Sequence, residues 1–317
     1  MTSQFDPENY RFKAVIDWVA LSITLPSATQ FRHLQNKLAP NFGKLFVKPC
    51  KGDETSMKFH ITIQNPVSPD QILSGLQSLT FSNGWQLSEA DIRVVGLELA
   101  IDLFTSPETA VALLTVAAQR MAVCHAHPPG SLRITKPKHY FAPATKRDIF
   151  TELHAGYSLH AGERYGTHTS HYYVKRHDTN EGVQYAPLPV AQHRARFENT
   201  WRGDLTPPFK TLDEWRNFRF ESLSEQFALV KPAPATGLAE LLQSASNQLG
   251  RPLKKTDDEP RHPDAIAKSQ LPNYRRNRAA STQRDTPTNE KIRQALRNLT
   301  KTKATKVREN SVDLLKG

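Results

Sequence analysis

Three short segments of this chain carry the residue types needed to break a phosphodiester. His171-Tyr-Tyr-Val-Lys175 and, further along, His193-Arg-Ala-Arg-Phe-Glu198 both read as β-strands, in which alternate side chains share a face. In the first, His171, Tyr173 and Lys175 point one way while Tyr172 and Val174 point the other. In the second, Arg194, Arg196, Glu198 and Thr200 share a face, and Ala195, Phe197 and Trp201 take the opposite one. The third segment, Arg93 to Phe104, places Leu97, Leu99, Ile101 and Leu103 on one face and Glu98, Ala100 and Asp102 on the other. Carboxylates can hold a metal ion, cations can hold phosphates, and a phenol can act as nucleophile.

A carboxylate pair on an otherwise apolar strand is costly unless it is solvated, paired or bound to a cation. For one strand alone, the plainer explanation is the wet face of a two-layer sheet. Three strands with Glu98, Asp102, Tyr173, Lys175, Arg196 and Glu198 on their polar faces favour a site. Nothing in the sequence itself makes those strands neighbours.

The elements that must position these residues follow from the pattern. A strand is predicted from about Phe12 to Leu25, with Val15, Asp17, Val19, Leu21 and Ile23 on one face. Ser27 is the expected cap of a helix through Phe31, Leu34 and Leu38. Strands near Gly43–Lys48 and Met57–Gln64 flank a polar turn. Ser68-Pro-Asp then opens a second helix with proline at its favoured first position. With the Glu98/Asp102 strand the order is βαββαβ, a ferredoxin-like or RNA-recognition-motif-like unit.

A helix starting at Ser106-Pro-Glu follows, then a Pro-rich connection. Strands are expected around Glu152–His160, His171–Lys175 and His193–Trp201. Thr211-Leu-Asp-Glu214 is a capping box opening a last helix with Trp215, Phe218, Leu223 and Phe227. The second half thus reads as a similar αββα continuation. Val15-Ile-Asp17-Trp and Ala100-Ile-Asp102-Leu-Phe faintly echo each other. The expectation is an α+β domain over residues 10–230.

Composition narrows the function class. Hydrophobic residues make up 38% and charged residues 23% of the 317, so most of the chain can bury a core. The net charge of +11 points to a polyanionic partner, nucleic acid ahead of a membrane surface. No apolar run is long enough to span a bilayer, and the N-terminus lacks the pattern of a signal peptide. Cys50 and Cys124 lie far apart and outside any CxxC pattern, which excludes a disulfide framework and predicts a reduced, cytoplasmic setting. Residues 231–317 hold 18 Lys and Arg against 9 Asp and Glu and open on Lys231-Pro-Ala-Pro-Ala. They read as a basic, largely disordered tail that captures DNA backbone, with short helices at Gly237–Leu249 and Asn289–Leu299.

Over about residues 12–225 the chain resembles the Rep_trans family: initiators of rolling-circle plasmids and filamentous phages, and related conjugative relaxases. The resemblance rests on Leu97-Glu-Leu-Ala-Ile-Asp102, on Ala161-Gly-Glu-Arg164 leading into His171-Tyr-Tyr-Val-Lys175, and on Arg194-Ala-Arg-Phe-Glu198. The family shows an Arg-x-Asp-x-x-x-Asp strand, a Gly-rich hairpin ending in Tyr-Asp-Lys or Tyr-Asn-Lys, and an Arg-x-Glu strand. By that match Tyr173 is the nucleophile, Lys175 and Arg196 neutralise the phosphate, and Glu98, Asp102 and Glu198 bind Mg²⁺ or Mn²⁺. Gly96 stands where the family often has arginine, Glu98 replaces Asp, and Val174 replaces Asp or Asn.

The resemblance implies nicking and joining of single-stranded or extruded origin DNA through a 5′-phosphotyrosine. A host helicase and a second copy of the chain are candidate partners. A non-catalytic DNA-binding factor for replication or conjugative transfer, on the same scaffold, stays open beside this.

Other signals compete. Tyr165 and Tyr185 sit in loop-like stretches as alternative nucleophiles, whereas Tyr172 falls on the apolar face and reads as core. Cys124-His-Ala-His127 superficially resembles the metal motif of HUH nucleases. A helix precedes it and Pro128-Pro follows, so it reads as a helix C-terminus followed by a turn. No P-loop is present, so ATP-driven unwinding falls to another protein.

Overall fold

The computed structural model describes residues 5–232 and 282–313, apart from 54, 80–84, 106–109, 131, 136–148, 164–165, 181–183 and 204–205. The first half follows the expected order: β1 (Arg11–Thr24), α1 (Phe31–Phe42), β2 (Leu45–Pro49), β3 (Lys58–Gln64), α2 (Pro69–Gln77) and β4 (Ile92–Phe104). Its strands lie side by side as β2-β3-β1-β4, all antiparallel, which is the ferredoxin-like arrangement. Ser68 caps α2 as expected, accepting the Gln71 amide at 3.1 Å ahead of Pro69. Ser27 does not cap α1. The chain there is tied to the approach of β3, Leu25 N–H donating to Met57 and Thr29 N–H to Ser56, so the helix begins only after Gln30.

The second half comprises α3 (Ala110–Cys124), β5 (Leu132–Thr135), α4 (Ile149–His154), β6 (Ser158–Ala161), β7 (His168–Lys175), β8 (His177–Asn180), β9 (Gln184–Pro187) and β10 (Arg194–Arg202). It is not a repeat of the first. β5, β6, β7 and β10 pair antiparallel in chain order, and β10 joins the meander to β4. Eight strands thus form one sheet, β2-β3-β1-β4-β10-β7-β6-β5, with β8 and β9 as a separate hairpin. Glu152, expected in a strand, lies buried in α4.

The helix expected from Thr211 to Phe227 divides into α5 (Leu212–Asn217) and a 3₁₀ helix, Phe220–Phe227. The Thr211 hydroxyl accepts the Glu214 amide at 3.1 Å, as a cap should. The Glu214 carboxylate, however, accepts Lys210 N–H rather than closing the box.

The helices send their buried residues into a core on one face of the sheet, with Val19, Leu21, Leu97, Leu99, Ile101, Tyr172, Phe197 and Trp215 among them. Among the described residues, the expected disordered tail is corrected over 282–313. β12 (Thr282–Arg284) pairs with β11 (Val230–Pro232), and α6 (Thr286–Asp313) contains the predicted Asn289–Leu299 helix. Ile292, Ala295 and Leu296 of α6 are buried in the core, where removal of apolar surface from water opposes the tail's polarity. The Asn289 side chain grips both backbone groups of Leu229, accepting its N–H at 2.7 Å and donating to its carbonyl at 2.9 Å. Asp285 is buried against Arg120 at 3.3 Å and Lys231 at 3.6 Å. The helix expected at Gly237–Leu249 and the basic run at Tyr274–Arg278 lie outside the described residues. No described helix is long and apolar enough to cross a membrane.

Candidate active site

β4, β10 and β7 are adjacent, and the register aligns their polar residues in rows. Arg196 lies between Asp102 and Tyr173; Glu198 lies between Ala100 and His171; Thr200 faces Glu98. The alternation read from the sequence holds on these three strands. It fails on β1, where the pairing with β4 slips between Ile16 and Trp18. Upstream of the slip Ala14 and Ile16 face the core; downstream Val19, Leu21 and Ile23 do. Asp17 is the extra residue, and the bulge turns it onto the polar face beside Trp18. Its carbonyl leaves the ladder and accepts Asn65 N–H at 2.7 Å. Sequence alternation had set Asp17 with Val19 and Leu21; the one available signal was a lone carboxylate in an apolar strand.

Arg196 organises the site. It donates to both oxygens of Asp102, Nε at 2.6 Å and a terminal nitrogen at 2.8 Å, in a forked pair. Its other terminal nitrogen reaches Asp17 at 2.7 Å and Glu198 at 3.4 Å. The faint echo of Asp17 and Asp102 therefore has a physical counterpart, since both bind one guanidinium. Arg194 adds a second cation at 3.1 Å from Asp102.

Tyr173 donates its hydroxyl to Glu198 at 2.7 Å, and His171 Nδ1 sits 2.9 Å from the other oxygen of Glu198. The His171 ring is stacked between His160, centroids 3.9 Å apart, and Tyr173 at 4.4 Å. Thr200 donates to Glu98 at 2.5 Å. Ligand oxygens of Asp17, Glu98 and Glu198 all lie within 4.8 Å of one another.

The electrostatics follow from this crowding. Four carboxylates (Asp17, Glu98, Asp102 and Glu198) share Arg194 and Arg196, with the charge of Arg202 reaching Glu98. Burial and then the charge of Glu198 push Glu98 well above the usual carboxylate range. Burial also acts to raise Glu198, but His171, Arg196 and the Tyr173 hydrogen bond outweigh it and hold the carboxyl down at about 2. Burial and the neighbouring Glu198 hold the Tyr173 phenol well above its ordinary value, so it is a neutral donor. Burial lowers His160 to about 3, helped by His171 and Arg133.

Three close oxygen donors with an excess of negative charge suit a hard divalent cation. The acidic cluster differs from the expected ligand set: it contains Glu98 and Glu198, but Asp102 is paired with Arg196 and Arg194, and Asp17 is the third member. Lys175 shares the face of Tyr173, but its Nζ pairs with Asp178 at 3.6 Å. Gly96, where the family often has arginine, lies under the Trp18 ring; a Cβ there would come within 2.9 Å of it. The nearby cation is Arg202, directly across from Gly96 on β10.

The rival motifs go elsewhere. His125 is buried on the core side, its Nδ1 2.6 Å from the Tyr172 hydroxyl and its Nε2 2.9 Å from the Gln226 carbonyl, while His127 is exposed. No metal pair forms from them. Tyr172 is core, Tyr165 lies outside the described residues, and only the backbone of Tyr185, in β9, is described.

No protein-family model matches the chain, and no curated protein matches it in sequence. Among solved structures it is similar to a rolling circle replication initiator protein from Geobacillus stearothermophilus, with 12% identity and a TM-score of 0.30. That likeness covers 61% of this chain and 75% of the other, and is too slight to carry an assignment by itself.

Proposed function

We propose that this chain is a replication initiator that nicks and rejoins single-stranded origin DNA through Tyr173. The observation that carries the reading is the sharing of one carboxylate. Glu198 accepts the Tyr173 hydroxyl at 2.7 Å and also belongs to the Asp17–Glu98–Glu198 cluster. A phenol and an acidic cluster that share one carboxylate can act together on a single phosphate. The resemblance of the three strand motifs to the Rep_trans family supplies the substrate class.

In this mechanism the Tyr173 oxygen attacks the scissile phosphorus while its proton moves along the hydrogen bond to Glu198, which His171 and Arg196 hold low and which therefore relays the proton rather than keeping it. The phosphorus–O3′ bond breaks, the departing O3′ takes that relayed proton and becomes a 3′-hydroxyl, and the 5′ side stays attached as a phosphotyrosine. Rejoining reverses these steps. His171 holds the second Glu198 oxygen and fixes the carboxylate toward Tyr173. Arg196, pinned by Asp102, keeps Asp17 and Glu198 in place and lends positive charge beside the attacking oxygen. Asp17, Glu98 and Glu198 would hold Mg²⁺ or Mn²⁺, which supplies a Lewis acid for the phosphoryl oxygens.

The test is a denaturing-gel assay for a covalent protein–DNA adduct. It uses single-stranded fragments spanning the DNA around this chain's own coding sequence, with Mn²⁺, and compares wild type, Tyr173→Phe and Tyr172→Phe. The expected result is an adduct with wild type and Tyr172→Phe and none with Tyr173→Phe. Adduct that survives Tyr173→Phe removes the nucleophile assignment. No adduct on any fragment, with DNA binding intact, leaves a non-catalytic DNA-binding factor.

A further inference from the structure

Along the polar face, an arginine–aromatic group lies on each side of the acidic cluster. At one end the Arg11 guanidinium lies 4.4 Å from the centroid of the Phe104 ring, and Arg194 approaches the same ring at 5.9 Å. Lys13, across from Asp102, borders this end, as does Lys175, across from Arg194. At the other end Arg202 lies over the Trp18 ring at 5.7 Å. The indole occupies the space above Gly96 that any larger residue would fill. Arg11 and Arg202 are exposed and Phe104 and Trp18 half-buried; the charge of Arg202 also reaches Glu98 at the edge of the acidic cluster. The cations whose charge is already balanced, Arg196 above all, sit between them.

We infer that these two groups are the flanking contacts of a single DNA strand that runs lengthwise along this face, its scissile phosphate at the acidic cluster. This rests on the reading of the face as the nicking site, and it names how substrate is held there. An aromatic ring offers a stacking surface to a base of any identity, and an adjacent arginine neutralises the phosphate. Arg11 and Trp18 are both on β1, roughly 20 Å apart at the rise of an extended strand. That span suits a few extended nucleotides. A paired duplex hides the base faces that Trp18 and Phe104 would stack on, so the occupant is single-stranded. Neither group adds chemistry; both position the strand.

The experiment is fluorescence anisotropy with a fluorescein-labelled mixed-sequence single strand and the matching duplex, in EDTA so that no cleavage occurs. Full-length wild type is compared with Trp18→Ala, Trp18→Phe, Arg202→Gln, Arg11→Gln and Lys48→Gln, the last on the far edge strand β2. Trp18→Ala and Arg202→Gln are each expected to weaken single-strand binding by about tenfold, with a smaller loss on duplex. Trp18→Phe, which keeps a ring above Gly96, should retain most of the affinity, and Lys48→Gln all of it. Arg11→Gln should weaken binding less than Arg202→Gln, because Arg194 remains over Phe104.

Single-strand affinity unchanged in Trp18→Ala and Arg202→Gln overturns the inference, as does an equal loss on duplex. Trp18→Phe binding as weakly as Trp18→Ala overturns the stacking role. The readout is separate from nicking. Adduct formation with unaltered binding in these variants sinks the track and spares the enzyme, whereas intact discrimination without any adduct sinks the enzyme and leaves a single-strand track.

Discussion

Tyr172 and Tyr173 are neighbours on β7, yet they belong to opposite faces of the sheet and to opposite electrostatic settings. On the core face, the Tyr172 hydroxyl meets His125, whose second nitrogen is taken by the Gln226 carbonyl. Phe197 lies against both rings. The pair is hydrogen-bonded to itself and to the backbone within the core. On the polar face, the Tyr173 hydroxyl meets Glu198 within a group of carboxylates that outnumber their arginines. In the function proposed above, a divalent cation would balance that excess of negative charge. Identical side chains, one fully and one partly buried, thus serve packing on one side and, in the function proposed above, chemistry on the other. What separates them is the charge balance of the partners.

The comparison can be broken most severely on the core face. Tyr172→Ala removes a fully buried ring and should cost about 3–5 kcal/mol in a urea unfolding curve. Tyr173→Phe, which loses one hydrogen bond, should cost about 1 kcal/mol or less by the same measurement. If Tyr173→Phe unfolds the protein as readily as Tyr172→Ala, the polar face is structural too.

Within the polar face the acidic residues should divide. Asp102→Ala leaves two nitrogens of the buried Arg196 without their carboxylate and is expected to cost about 3–5 kcal/mol. Glu98→Gln should leave stability in EDTA unchanged or slightly higher, because it removes a repulsion with Glu198. Titration calorimetry with Mn²⁺ should show heat of binding for wild type and little for Glu98→Gln. The reverse ranking would return Asp102 to the ligand set.

A smaller effect is expected at the core-face hydrogen bond. His125→Phe keeps a ring against Phe197 and leaves the Tyr172 hydroxyl without its partner, which should cost about 1–3 kcal/mol in thermal unfolding. A loss near zero would mean that the pair is packing alone.

The last prediction concerns acid. His160 has a folded value lowered to about 3, against an ordinary 6.5, through burial first and then His171 and Arg133. Below pH 6.5 the unfolded chain takes up a proton that the folded chain refuses, so stability declines as pH falls from 6.5 toward 3. His160→Gln should flatten that decline in melting temperature across pH 6.5 to 4.5. A slope unchanged from wild type would remove His160 from the acid response.

Much of this was legible in the residues because strand periodicity is local. The faces of β4, β7 and β10, the βαββαβ order, and Tyr172 as core all followed from alternation. So did the cap at Ser68, since a side chain reaching an amide three residues on needs no distant partner. The misses share another cause. Asp17 reaches the site through a bulge, and a one-residue slip reverses every later side chain without any mark in composition. Asp102 stands outside the acidic cluster because Arg196 and Arg194, far along the chain, pair with it. The helix at Asn289–Leu299 was foreseen but not its docking, which depends on Asn289 and Ile292 finding Leu229 and the core.

By itself, then, the sequence determined which side chains share a face, and with that a tyrosine, carboxylates and arginines displayed together on strands. Only the tertiary structure decided which strands adjoin, and so which carboxylates remain for a cation and which are spent on an arginine. Alternation is a property of the backbone's own pleat, whereas charge pairing depends on distances between segments that no local pattern encodes.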